Sequence, residues 1–218
     1  SMFVNCQSFN QNINSWNVSN VTNMNSLFNG ALAFDQPLNN WNVSNVTTMT
    51  GMFLQANNFN QPLNNWNVSN VVNMKYMFQG CTNYDKPLNN WKVHNVINMS
   101  FMFERCTKFN QLLNDWNVQA VTTMQKMFQL CVKFDKPLNN WNVLNVTNMF
   151  GMFAGCEKFN QPLNNWDTSK FNVFLGMFAF GVSFDQDISS WDTTGFTSSV
   201  AGLDFFTTSG LSTANYDA

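Results

Sequence analysis

The five cysteines are the side chains best equipped for chemistry, and their spacing argues against it. Cys6, Cys81, Cys106, Cys131 and Cys156 fall in one register of 25 residues, with Ala31 and Ala56 at the intervening positions. A slot that accepts either Ala or Cys is small and apolar, so these thiols are expected to be buried and free. Zinc ligands come in closely spaced pairs, and intervals of 25 supply none. An odd count leaves no closed disulfide set. Stacked cysteines would also point their Cβ vectors in parallel, which disfavours a bridge. Nucleophilic catalysis would have to run through His94, the only histidine, with the core thiols placed away from it. The acids recur at regular intervals and do not form a pair across a cleft, as glycoside hydrolysis needs. No glycine-rich phosphate loop and no H-E-x-x-H motif occurs. These residues predict no enzyme, no cofactor and no metal.

Two further columns carry charge. Asn10, Asp35, Asn60, Asp85, Asn110, Asp135, Asn160 and Asp185 alternate amide and carboxylate at the same interval. Skipping a rung about doubles the distance between like charges, to roughly one Debye length. Charge management is the expected role, with calcium a weaker alternative because it wants several converging oxygens. Lys108, Lys133 and Lys158 form a basic stripe. It reads either as a solvated face or as a contact for an anionic glycan or lipid surface.

What positions all these residues is a repeat. The eight tryptophans, Trp16 to Trp191, stand 25 residues apart without an insertion or deletion. Phe9, Phe34, Phe59, Tyr84, Phe109, Phe134, Phe159 and Phe184 make a second column, and Phe28 to Phe178 a third. One coil alone cannot bury its apolar side, whereas stacked coils can. Within a coil, Leu38, Trp41 and Val43 (L-x-x-W-x-V) have strand spacing. Val46, Met49, Met52 and Phe53 have helical spacing, with Ser44 or Asn45 at the N-cap. The fold class expected is therefore an α/β solenoid: a right-handed, leucine-rich-repeat-like stack of eight 25-residue coils, each a short parallel strand plus a short helix. Residues 1–8 would end a preceding coil, 9–191 would form the array, and 192–218, where the pattern decays, would cap it.

Composition supports a folded chain. Hydrophobic residues make up 44% and charged residues 10%, the reverse of a disordered segment. A net charge of −2 carries no nucleic-acid footprint. No apolar run is long enough to span a membrane.

The strand motif L-x-x-W-x-V resembles the L-x-x-L-x-L of leucine-rich repeats. The run Met102-Phe103, Cys106, Phe109 is similar to the A-F-x-x-C-x-x-L of BspA-like leucine-rich-repeat proteins. FNQPLNNWNVSNV at 59–71 resembles the 25–26-residue repeat of bacterial and mycoplasma surface lipoproteins. That resemblance implies a surface-displayed protein with adhesion or partner binding as its role, and no catalytic residues. Localisation would be extracellular or at the cell surface, with any anchor or signal outside this sequence.

Consensus positions hold the scaffold, so a partner is expected where the consensus breaks. On the presumed exposed sheet face the departures gather in coils four to six. Lys92, His94, Asp115, Gln119 and Leu144 depart from their columns, and Asn117 lies among them. This patch is the expected contact for a protein or glycan on a host or neighbouring cell. No nucleic acid, no membrane insertion and a monomeric state are expected. A structural spacer projecting other domains is the alternative, and ice binding a distant third.

Overall fold

The structure is a computed structural model that describes residues 2–192, 208–212 and 215. The 25-residue register holds throughout residues 2–192, but the coils are not built from strands and helices. Among those residues no helix forms. β pairing is limited to isolated parallel bridges that link Asn23, Thr48, Asn73, Asn98, Thr123, Asn148 and Val173, one residue per coil. The expected α/β solenoid of strand-plus-helix coils is therefore incorrect, and with it the exposed sheet face. Trp41 and its equivalents lie outside any strand. Most of the expected 192–218 cap lies outside the described residues.

A coil is instead a closed circuit of three-residue-return turns. In coil 2 the N–H of Trp41 donates to Leu38, Val46 to Val43, Met52 to Met49, Ala56 to Phe53 and Phe59 to Ala56, at 2.9–3.1 Å. Each turn opens and closes on a buried residue, and the two residues between face outward except at a few positions such as the buried Gly51. The pattern anchor-x-x-anchor mimics helical spacing while producing a polygon.

Two turns per coil carry positive φ at their third residue, as at Ser26, Tyr76, Phe101 and Lys126, and at Gln55, Arg105, Leu130 and Phe180. Gly51 and Gly151 hold the first of these columns in other coils, and Gly30, Gly80 and Gly155 the second. Left-handed residues at four-residue intervals cannot continue a right-handed α-helix. They also rotate alternate amides out of the coil. Met24, Ser26, Phe28 and Gly30 donate to Thr48, Thr50, Met52 and Leu54 of the next coil, while Leu27, Asn29 and Ala31 donate back within their own. An α-helix would have kept every one of these bonds to itself.

The core is a set of parallel side-chain stacks. Phe28 and Phe53 lie 5.5 Å apart with planes 10° from parallel, and Trp91 and Trp116 lie 6.3 Å apart at 5°. The Met columns close the remaining space, adaptable enough to fill gaps between rings. From Trp41 onward each indole Nε1–H donates to a main-chain carbonyl 28 residues earlier, at 2.8–3.2 Å. Tryptophan in this slot thus fills core volume and satisfies the preceding coil. Trp16, in the first coil, is 44% exposed.

Polar columns tie the rim together. Across the Asn/Asp column every Oδ1 accepts the N–H of the equivalent residue one coil on, from Asn10 to Asp185, at 2.9–3.0 Å. Amide and carboxylate perform this bond equally well, so alternating them spares the stack a row of like charges. At Asp185 the C-terminal segment takes the place of a further coil. Ser212 N–H donates to Asp185 Oδ1 at 2.8 Å, and Asn215 Nδ2 reaches the same oxygen at 2.9 Å. Gly210 lies against Val182 so closely that an added Cβ would overlap its carbonyl oxygen.

Two outcomes follow. Tyr84 is fully buried in a Phe column and its hydroxyl has no hydrogen-bond partner among the described residues. Tyr84→Phe should therefore raise unfolding stability by about 1 kcal/mol, read by urea denaturation, and a loss of stability would contradict the packing described. The Ser212 N–H and the Asn215 amide hold the Asp185 carboxyl below its ordinary range. A depressed folded-state value means docking is intact above the ordinary Asp value of about 3.9 and is lost as pH falls through the lower one. The protection factor of the Ser212 amide, taken relative to its intrinsic exchange rate at each pH, should fall on acidification through that window while the coil core stays protected.

Candidate functional site

The sequence-predicted patch is exposed but only partly assembled. Lys92, His94, Asp115, Asn117, Gln119 and Leu144 all face solvent at the tryptophan corner. Asp115 and Asn117 line a shallow hollow of about 310 Å³ with Asn114 and Asn140, whereas Lys92 and His94 do not reach it. A hollow of about 440 Å³ lies one coil further along, lined by Asn139, Asn140, Asn142, Asn165 and Asp167 among others, so this shape is the gap between rungs and not a special feature. Asn117 is also engaged, since its Oδ1 accepts the Gln119 N–H at 3.2 Å. The same local turn forms at Asn17, Asn42, Asn67, Asn142 and Asp167. Lys92 has no acceptor to offer, so its departure from consensus removes a turn bond.

The thiols are placed as cores place them. Cys81, Cys106, Cys131 and Cys156 are fully buried, and each Sγ–H donates to a carbonyl 28 residues earlier at 2.9–3.0 Å. Burial pushes all four thiols up, away from thiolate. Cys6 departs from the expectation and is exposed. Among the described residues no three His, Cys, Asp or Glu side chains gather as a metal group.

The better-formed site is on the other side of the coil, across the two left-handed columns. Where those columns hold glycine the surface sinks, and where they hold large side chains it rises. Gly151, Gly155 and Gly176 floor a cleft of about 370 Å³ walled by Lys126, Leu130, Phe150, Leu175 and Phe180, with Glu157 at its rim. Positive φ makes glycine the relaxed residue at all three positions, and close contact adds to this at Gly155 alone. A Cβ on Gly155 would meet Leu130 Cδ2 at 2.7 Å, and one on Gly151 would meet Lys126 Cγ at 3.4 Å. The stems of Lys126 and Leu130 therefore lie over the next coil.

From this cleft a ridge of rings and ammonium groups runs back along the stack. Lys126 Nζ stands 5.4 Å from the centre of Phe150 and 6.0 Å from that of Phe101. Phe101 packs on Tyr76 at 4.8 Å, and Lys75 Nζ lies 4.6 Å over Tyr76. Bulky residues with positive φ are strained relative to glycine, and Tyr76, Phe101 and Lys126 all have it. Periodicity alone missed them because the columns read as the variable face of a helix. The available signal was the exchange of glycine with large residues at one register. The basic stripe borders this face: Lys108, Lys133 and Lys158 are exposed, and Lys158 follows Glu157 of the cleft.

A family model described as "Mycoplasma protein of unknown function, DUF285" matches residues 1–116 and again 102–208. The chain belongs to this family. The two DUF285 matches together span nearly all of the sequence and agree with the repeat read from its aromatic columns. No curated protein and no solved structure matches the chain. No helix among the described residues is long and apolar enough to cross a membrane.

If the Lys92 turn lacks its bond for want of an acceptor, Lys92→Asn should recreate it to the His94 N–H. A gain of about 0.5 kcal/mol is expected, read as a higher midpoint of chemical unfolding. An unchanged or lower midpoint would show that this local bond adds nothing to the coil.

Proposed function

We propose that this chain is a non-catalytic recognition scaffold that holds a partner against the face bearing the left-handed turns. The observation that carries this reading is the cleft floored by Gly151, Gly155 and Gly176. There glycine fills both left-handed columns of one coil, at Gly151 and Gly155, and the surface forms a concavity with apolar walls and both signs of charge among its lining residues. Pockets of this size and character are the usual form of a binding site. The core anchors that repeat from coil to coil are occupied in holding the stack together. The residues freest to vary without disturbing it are the outward ones whose side chains carry no bond between coils, and these supply the cleft and the ridge. Display on a cell surface, with adhesion as its purpose, belongs to the same proposal. So does kinship with BspA-like surface proteins, for which the coarser family match is support.

The spacer alternative is separated from this one by a direct test. Printed arrays of glycans and of extracellular-protein peptides would be probed with the chain and with a Phe150→Ser/Phe180→Ser variant, both checked for the same thermal midpoint. Recognition predicts at least one class retained by the chain and weakened at least about tenfold by the variant. No retained class, or retention indifferent to the two substitutions, would favour the spacer.

A further inference from the structure

We infer that the face bearing the left-handed turns in coils three to six binds a linear polyanionic glycan lying along the stack. The inference rests on the recognition reading above and names the partner's chemistry. Its first support is charge segregation hidden by the net −2. The segments 24–33, 49–58, 74–83, 99–108, 124–133, 149–158 and 174–183 make up this face and its adjoining corner. They hold six of the chain's ten Lys and Arg residues but two of its twelve Asp and Glu residues.

The second support is an inconsistency in how the chain treats like charges. In the Asn/Asp column no two carboxylates occupy adjacent rungs. Yet Lys108, Lys133 and Lys158 occupy three consecutive rungs, all exposed. The rings that follow them, Phe109, Phe134 and Phe159, are 6.1 and 5.9 Å apart, so the lysine stems leave the coils at nearly that interval. Lys108 Nζ is held by Asn83 Oδ1 at 2.6 Å. No carboxylate of the described residues pairs with Lys133 or Lys158. A row of ammonium groups at this spacing repels itself, and a chain carrying regular negative charges relieves the repulsion by releasing counterions.

The third support is the ridge. Tyr76, Phe101 and Phe150, with Lys75 and Lys126 over their rings, give an apolar and cationic surface alongside the stripe. An acidic glycan offers its anionic groups to the lysines and needs only the ring edges and lysine stems for apolar contact. A nucleic acid fits less well, because bases need open ring faces to stack on. Here Tyr76 and Phe101 cover each other at 4.8 Å and ammonium groups lie over the rest. An anionic bilayer also fits less well, because it presents a plane of charge to what is a single row.

The test is titration calorimetry of the chain with a size-defined heparin oligosaccharide, an uncharged dextran of equal length, oligo-dT, and phosphatidylserine vesicles. Heparin should bind and dextran should not. Affinity should fall on the order of tenfold between about 50 and 200 mM salt. A Lys108→Gln/Lys133→Gln/Lys158→Gln variant of unchanged thermal midpoint should lose at least about tenfold, while the triple Lys→Arg variant keeps binding. Absence of heparin binding, equal binding by the Gln variant, or equal or tighter binding of oligo-dT or vesicles would overturn the inference. If heparin fails while the arrays find another ligand lost in the Phe150/Phe180 variant, the recognition reading stands and the glycan assignment alone falls.

Discussion

The structure depends on a carbonyl that accepts twice. The Leu38 carbonyl takes the Trp41 N–H that closes its own turn and the Trp66 indole N–H from the next coil. Phe53 does the same for the Ala56 N–H and the Cys81 thiol. In both cases the side chain that closes a turn in one coil reaches the residue that opens the equivalent turn in the coil before. A buried carbonyl has two lone pairs, and leaving polar groups unmet in a core is costly. This bond explains why a large aromatic with a donor occupies one corner and a small donor the other. Alanine serves the second corner at Ala31 and Ala56, where the carbonyl keeps its turn bond and forgoes the thiol.

Hydrogen bonds between coils then do the work that regular secondary structure does in most folds. Along the left-handed turns alternate amides leave the coil; at the rim, Asn and Asp oxygens cap the amides of the next coil. The result buries rings without strands to carry them. Its cost is backbone strain at residues such as Tyr76 and Phe101, where glycine would be relaxed. Among the strained residues are Tyr76, Phe101 and Lys126, the half-buried rings and ammonium group of the ridge.

Much of this was legible in the residues. The 25-residue register, the core columns, the buried thiols from Cys81 onward and the alternating Asn/Asp column all follow from side-chain type at a fixed interval. Secondary structure was not legible, for a physical reason. Val46, Met49, Met52 and Phe53 satisfy helical periodicity as well as they satisfy consecutive turns, since both bring every third or fourth residue to one side. The deciding quantity is the sign of φ at positions such as Gly51, and a single glycine looks like a helix end. The patch at Lys92, His94 and Asp115 was legible as a departure from consensus but not as a site. The cleft, by contrast, needed the contacts of Gly151 and Gly155 to be seen.

Because neighbouring coils meet through the same backbone bonds in both directions and, from Trp41 onward, the same indole bond, successive junctions are closely alike. The sequence is in this sense written in a unit of fixed length. Insertion or loss of one whole unit would leave all remaining junctions properly matched, whereas a change of any other length would misalign every column beyond it. Such a gene can lengthen or shorten its product by unequal recombination between repeats without passing through an unfolded intermediate, and each added unit brings outward positions, apart from the polar columns that bond between coils, on which new specificity can be written.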